Sequence, residues 1–463
     1  MTTATNPYLE GNFAPVQSEI TAENLTVIGE LPPDLNGMFV RNGPNPQFTP
    51  IGRYHWFDGD GMLHGVKISN KKASYCDRYI KTRKWQTENN AGHAIWTGLL
   101  EPPQPDNPGP KNVANTALAW HDNRLLALWE GGEPHSIKIP SLETIGPYTY
   151  GGNLKTPFTA HPKIDVATGE MMFFGYSLAE PPYLQYSIVS DEGKLLRTVP
   201  IDLPVGVMMH DFAITEDYTI FMNLPLTFRV ERMKRGEPAF LFEKDIPSRF
   251  GILPRYGDNK SIRWFEAPAC YVFHTLNAYE EGDEIVLIAC RMQGTSVLAA
   301  TETQQDGKSD IPYLHQWRFN LKTGAVIEEP LDEIPSEFPR INEQYLGRKT
   351  QYGYTGRIAP TSLPLFDGLI KYDFANNRSQ VHEFGKGRYG GEAVFAPRPG
   401  ATDEDDGWLM TFVYDEAKET SELVLVNAKD ITSKPVARVI IPQRVPYGFH
   451  GIWIDLNGVV GSR

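Results

Sequence analysis

Short strand-like runs recur from one end of this chain to the other, and each is closed by turn chemistry. Residues 124–128, 170–176, 218–223, 284–289, 408–414 and 422–427 are such runs. Around them lie Asp122-Asn123, Thr168-Gly169, Gly282-Asp283, Thr323-Gly324 and Asp406-Gly407, dipeptides that supply tight or left-handed turn backbone. No ladder of long helical patterns alternates with the runs, which argues against a parallel α/β fold. Many antiparallel strands in one long chain predict an all-β fold, either a β-propeller or a large sandwich, with the propeller preferred. Exact repeats are absent.

A chain of 463 residues would ordinarily divide into two or three domains. Large closed β folds break that rule. The 41 Gly, 37 Pro, 23 Phe, 21 Tyr and 9 Trp are spread along the chain, as many short strands and tight turns require. No low-complexity linker interrupts it. The expectation is one domain over residues 1–463 with elaborated loops. Two loop-rich regions, 87–111 and 224–255, mix aromatics with proline and are read as lids or binding loops.

The net charge of −13, without a basic block, excludes nucleic acid as a natural partner, since phosphate contacts need clustered Lys and Arg. The short basic runs 81–84 and 232–235 read as solvated turns. Cys76, Cys270 and Cys290 are far apart and odd in number, which favours a reducing compartment over a disulfide framework. Residues 1–11 lack a charged-then-apolar leader pattern. No apolar run approaches the ~18 residues needed to span a bilayer. These features predict a cytoplasmic protein that touches a membrane surface at most.

Eleven histidines are present and none forms a local metal signature such as HExxH. Four stand apart by context. His161 lies in Thr-Ala-His-Pro. His210 follows Val-Met-Met and precedes Asp211-Phe212. His274 ends Tyr-Val-Phe-His, and His450 sits in Tyr-Gly-Phe-His-Gly. Each stands at the edge of an apolar patch beside small or turn residues. A propeller would carry such positions toward its axis from different blades, but spacing alone does not make them ligands.

Longer motifs do more. Residues 6–16 (NPYLEGNFAPV), 35–48 (LNGMFVRNGPNPQF), 54–65 (YHWFDGDGMLHG), 125–134 (LLALWEGGEP), 337–342 (EFPRIN), 390–397 (GGEAVFAP) and 406–415 (DGWLMTFVYD) resemble the carotenoid cleavage dioxygenase family. The resemblance runs from residue 6 to about residue 455. It implies a seven-bladed propeller under a dome of loops and helix, and an Fe(II) ion on His161, His210, His274 and His450. It also implies three glutamates behind the ligands, Glu130, Glu337 and Glu392, with His161 the ligand left without one. The physical reason is that a neutral His ligand donates its other ring N–H to a carboxylate, which sets tautomer and orientation.

The resemblance further implies cleavage of a conjugated carbon–carbon double bond by dioxygen, into two carbonyl products. Four neutral imidazoles leave up to two open metal positions, unlike the more open two-histidine, one-carboxylate triad. No general base is needed, and an apolar tunnel would select the bond. In the stilbene-cleaving branch a lysine precedes the first glutamate. Here that residue is Trp129, so a carotenoid or apocarotenoid is expected, cut at the 9,10 and 9′,10′ bonds as in similar plant and cyanobacterial members. The alternatives are an apocarotenal- or stilbene-cleaving oxygenase and a non-catalytic binding propeller. In 224–255, Phe228, Phe240, Leu241 and Phe242 either pack under the dome or meet lipid, with Arg229, Arg232, Lys234 and Arg235 then meeting headgroups. The run 57–63 (FDGDGML) mimics a calcium loop but lacks its frame. His55 and His64 beside it are not expected to be ligands, and 403–406 reads as a solvated acidic turn.

Overall fold

The computed structural model describes residues 6–101, 104–107, 109–296 and 310–457. The polar start and the region 87–111 lie partly outside that set. Among the described residues strands dominate and helices are few. The sequence runs are strands close to the expected bounds: Arg124–Leu128, Met171–Tyr176, Tyr218–Asn223, Glu284–Met292, Gly407–Asp415 and Thr420–Asn427. At one of the turns, Asp122 and Asn123 both take positive φ (48° and 54°), the backbone of a tight hairpin.

The chain groups into two compact units, Met1–Gly152 with Ala359–Leu369 and Gln380–Arg463, and Asn153–Ile358 with Ile370–Ser379. One boundary falls inside the strand Phe366–Asp373, not in a linker of the kind that separates independent domains.

The first unit holds three antiparallel sheets. In one, Gly37–Pro44 lies between Gly61–Ser69 and the C-terminal strand Gly451–Asp455. In another, the N-terminal strand Val27–Gly29 pairs with Ala437–Ile441 at the far end of the chain. Strands from the two ends of the chain thus share sheets within this unit. The third sheet contains Ala117–His121, Arg124–Leu128, His135–Ile137 and Thr144–Pro147.

The second unit carries a sheet from Lys163–Ile164 to Leu195–Ile201 and another from Ala213–Ile214 to Arg263–Ala267. A meander then runs from Tyr271–Glu281 to Val326–Arg340. This last strand, 15 residues long, serves twice. Its first part pairs with Tyr313–Asn320, and Ser336–Arg340 pairs with Tyr352–Ile358 to begin a further sheet. Counting the shared strand in both and leaving aside the two-stranded ribbon Leu226–Phe228 with Phe240–Phe242, the described residues form seven sheets, the number of blades of a seven-bladed β-propeller.

Facing sheets are glued by apolar side chains. Phe250, Phe265, Trp317 and Phe319 are buried in one such layer, with Phe250 centred 5.3 Å from Trp317 and 5.0 Å from Phe319.

Several local expectations change. Residues 81–84 are not a turn: Thr82 caps, through its side chain, a helix over Arg83–Ala91 that ends at Gly92 with φ 76°. The region 224–255 is less irregular than expected. It forms a ribbon, Leu226–Phe228 against Phe240–Phe242, a short helix Val230–Lys234, and the blade strand Ser248–Pro254, whose Phe250, Ile252 and Leu253 are buried. Arg232 is buried, paired with Glu243 and bonded to the Thr227 carbonyl at 3.0 Å, so the run 232–235 is not wholly solvated. Phe240 and Phe242 pack on the core. The exposed apolar residues there are Met233, Leu241 and Ile246. The calcium-like run spends its carboxylates on structure. Asp58 accepts from the backbone N–H of His55 and Leu99, and Asp60 accepts from Gln47 and pairs with Lys111. Among the described residues no helix is long and apolar enough to cross a membrane.

Because Phe250 sits between two sheets, Phe250→Ala should cost about 3–5 kcal/mol of stability through the cavity it leaves. Chemical denaturation checks this, and metal affinity of the folded fraction should be unchanged.

Candidate metal centre

Each expected ligand stands where regular structure breaks. Before His161, the backbone N–H of Thr159 bonds Phe174 at 2.8 Å, and Phe158 stacks on Phe173 at 4.0 Å. His210 follows three buried apolar residues whose backbone is held by the ribbon, with Met208 N–H donating to Leu226 at 3.0 Å. His274 lies on the strand Tyr271–Glu281 where the register slips between Val272 and Thr275. A bulge of this kind re-aims a side chain and is common beside functional sites.

His450 immediately precedes the C-terminal strand Gly451–Asp455. Its carbonyl accepts from Asn42 at 2.9 Å, and its N–H donates to Thr116 at 3.2 Å. The motif residues around Asn42 explain themselves here. A Cβ on Gly43 would lie 2.8 Å from Gly448 Cα, and one on Gly448 would lie 2.6 Å from the Arg41 guanidinium carbon. Only glycine permits that approach.

Two carboxylates address these rings. His274 Nδ1 lies 2.6 Å from Glu337 Oε2, and the same oxygen accepts the N–H of Phe338. Phe338 has φ 54°, an uncommon conformation for a bulky residue, and its ring lies against His274 at 5.4 Å. His450 Nδ1 lies 2.9 Å from Glu392 Oε1, while Glu392 Oε2 accepts Gly451 N–H at 2.7 Å. A ring nitrogen bonded to a carboxylate carries the proton, so Nε2 of His274 and of His450 presents a lone pair. Glu130 stands half-buried in the turn after Arg124–Leu128. Beside it, Gly131 leaves room for the Trp129 indole.

The Nε2 atoms of His161 and His210 are 3.0 Å apart, and those of His210 and His274 are 3.2 Å apart. Nitrogens at right angles on one ion, each about 2.1 Å away, would be about 3.0 Å apart. A tetrahedral pair would be nearer 3.4 Å by the same geometry. Among the described residues, His161, His210, His274 and His450 form a group that each offers a ring nitrogen, all within 4.8 Å of one another. Lone pairs converging from neutral imidazoles, with no carboxylate in the set, suit a first-row metal such as iron. His55 and His64 are elsewhere employed: His55 caps the turn Trp56–Asp58, and His64 Nδ1 bonds the Tyr75 hydroxyl at 2.7 Å.

One participant was not foreseen. Asp211, next to His210, is buried and holds Lys163 Nζ at 2.8 Å and both the N–H and hydroxyl of Thr275 at 2.8 Å. Burial alone would raise its pKa, but Lys163 and these donors outweigh burial and hold it below the usual carboxylate range. The sequence signal was only a His-Asp pair, since Lys163 and Thr275 are remote along the chain.

The two glutamate clamps differ in a testable way. Glu337 uses one oxygen for both donors, and its Oε1 is buried without a partner. A glutamine can place its oxygen there and lose little. Glu392 uses both oxygens, so a glutamine must turn an NH2 group toward a donor. Glu392→Gln should therefore lower metal affinity by about 10–100-fold, and Glu337→Gln by clearly less. Chelator competition measures both, and equal losses would refute the distinction.

Comparison with known proteins agrees with these features. The family model described as retinal pigment epithelial membrane protein matches residues 13–455. The carotenoid 9,10(9′,10′)-cleavage dioxygenase 1 of Pisum sativum is 43% identical, over 96% of this chain and 90% of its own length. The crystal structure of the Pseudomonas brassicacearum lignostilbene dioxygenase superposes with a TM-score of 0.91 at 30% identity, over 98% of this chain and 100% of that one. A cobalt-substituted apocarotenoid oxygenase from Synechocystis gives 0.84 at 30% identity, over 95% and 97%. In sequence and in fold, the chain belongs to the carotenoid cleavage dioxygenase family.

Proposed function

We propose that this chain, a dioxygenase by family, cleaves a carotenoid at its 9,10 and 9′,10′ double bonds, with Fe(II) held by His161, His210, His274 and His450. The observation that carries the reading is the convergence of histidine Nε2 atoms at spacings of 3.0 and 3.2 Å. The bond positions rest on the relatives named for that cleavage.

Iron, when bound, would supply the activation of dioxygen that an alkene alone does not provoke. The residues of the chain have other tasks. Glu337 and Glu392 hold ring protons at Nδ1 of His274 and His450. Glu130 is proposed to do the same for a third ring. Aromatic side chains supply apolar surface: Phe273 lies 5.4 Å from the His210 ring, and Phe449 packs on Trp56 at 4.6 Å. A polyene has no acidic proton to remove, so no general base is required. In the overall change one C=C and one O=O bond break and two C=O bonds form, both oxygens entering the products.

Ferrous-loaded protein incubated in air with carotenoids, apocarotenals and resveratrol tests this. The expected result is two ketones and a central dialdehyde from a carotenoid, with one O2 consumed per bond cut. Turnover of resveratrol alone would transfer the chain to stilbene cleavage. Iron binding without any cleavage would make it a binding propeller.

Carotenoids are nearly insoluble in water, so substrate must come from a membrane or carrier. We place the contact at Met233, Leu241 and Ile246, which are exposed in a segment that also exposes Lys234 and Lys244, a mix suited to an interfacial element. Arg229 and Arg235 are already paired with Glu243 and Glu237. The buried, unbridged cysteines fit a cytoplasmic setting. Replacing the three apolar residues with Ser should reduce liposome binding and uptake from vesicles while sparing turnover in detergent. Equal loss in both would assign the segment to the core.

A further inference from the structure

The buried Lys111–Asp60–Glu88 and Arg255–Asp165–Arg348 clusters tie surface loops to blades, and neither contains a neighbour of a ligand histidine in the chain. Asp211 is such a neighbour. We propose that Asp211 is a positioning residue that sets the mutual placement of His161, His210 and His274.

Asp211 directly follows His210. Its Oδ1 accepts Lys163 Nζ at 2.8 Å, two residues past His161, and the N–H of Phe212 at 2.7 Å. Its Oδ2 accepts the backbone N–H and the hydroxyl of Thr275, each at 2.8 Å, the residue next to His274. One carboxylate therefore joins all three chain segments at a single point, beside the bonds from the Thr275 hydroxyl to the Phe212 carbonyl and from the Tyr271 hydroxyl to the Met208 carbonyl, both at 3.2 Å, which link only the second and third. The need is physical. His161 and His210 lie outside regular strands, and His274 lies in a register slip, so no continuous hydrogen-bond ladder holds any of them. Spacings of 3.0 and 3.2 Å between Nε2 atoms tolerate little drift, because a ligand set displaced by fractions of an ångström binds metal poorly.

The carboxylate is also fully used. Its two oxygens receive four donors, which matches the roughly four lone-pair sites of an ionised carboxylate. Its side chain is 2% exposed and that of Lys163 13%, and Lys163 lies over the Phe212 ring at 5.8 Å. An asparagine offers one acceptor oxygen and an NH2 group, so donors on Lys163 or Thr275 lose their partner, and the lysine loses its counter-charge. Asp211 touches no ring nitrogen in this network. It acts through Thr275 and Lys163, in contrast to Glu337 and Glu392.

The inference rests on the four-histidine metal reading, and Co(II) makes the two separable. The readouts are the apparent dissociation constant of Co(II) by chelator competition, the visible absorption bands of bound Co(II), and the melting temperature of the metal-free protein. Asp211→Asn should weaken Co(II) binding by about 10–100-fold, the usual scale for residues that orient ligands, and shift the Co(II) bands. Thr275→Val keeps the charge and the backbone donor, and should shift both readouts in the same direction by less. It carries the test if Asp211→Asn does not fold. The double variant Asp211→Asn, Lys163→Met removes the unpaired charge and should recover the melting temperature without recovering the Co(II) bands. Full recovery of Co(II) affinity in the double variant would show that Asp211 merely neutralises Lys163, and would overturn the proposal. So would affinities within about two-fold of the parent and unchanged bands in both single variants. A parent protein that binds neither Co(II) nor Fe(II) at these histidines would remove the metal reading, and this inference with it.

Discussion

A histidine can be aimed at a metal only after its other ring nitrogen has been satisfied. That constraint organises the site. His274 and His450 each donate a hydrogen bond from Nδ1 to a buried glutamate, 2.6 Å and 2.9 Å away, and each is thereby left with an outward lone pair on Nε2. Once neutral, such rings can approach one another without charge repulsion. The backbone around them is bent to the same end. The strand of His274 slips register, Phe338 beside Glu337 takes positive φ, and Gly43 and Gly448 let two segments meet near His450.

The propeller scaffold makes this arrangement affordable. Rigid sheets with buried aromatic layers supply the stability, and the ligands sit on breaks at their ends. Exchange of terminal strands, Val27–Gly29 with Ala437–Ile441 and Gly451–Asp455 with Gly37–Pro44, ties both chain ends into ordered sheets. His450 lies one residue before the strand Gly451–Asp455, so the pairing of that strand with Gly37–Pro44 also fixes the backbone of this ligand.

Strands were legible because their signals are local. Alternation, β-branched and aromatic residues, and paired turn residues all act within a few positions, and the bounds at 124–128 and 218–223 coincide with the observed strands. The helix over Arg83–Ala91 was missed because only Trp85 among its residues is large and apolar, so no helical stripe exists. Its caps, Thr82 and Gly92, were the available signal. In 224–255 the same aromatics suit a lipid-facing loop or a packed ribbon. The deciding fact, that Phe240 and Phe242 rest on the core while Met233, Leu241 and Ile246 face outward, has no local signature.

The sequence by itself determined the all-β class, the blade-like strand rhythm and, through long motifs, the family and its four candidate histidines. These depend on residue types and near neighbours, which a linear reading contains. Only the tertiary structure decided which atoms meet. His161 and His210 are 49 residues apart and His210 and His274 are 64 apart, yet their Nε2 atoms come within 3.0 and 3.2 Å. The role of Asp211 was equally hidden, because its partners Lys163 and Thr275 are brought to it by sheet packing. Hydrogen bonds of that length depend on three-dimensional placement to a few tenths of an ångström, and no spacing along a chain encodes that directly.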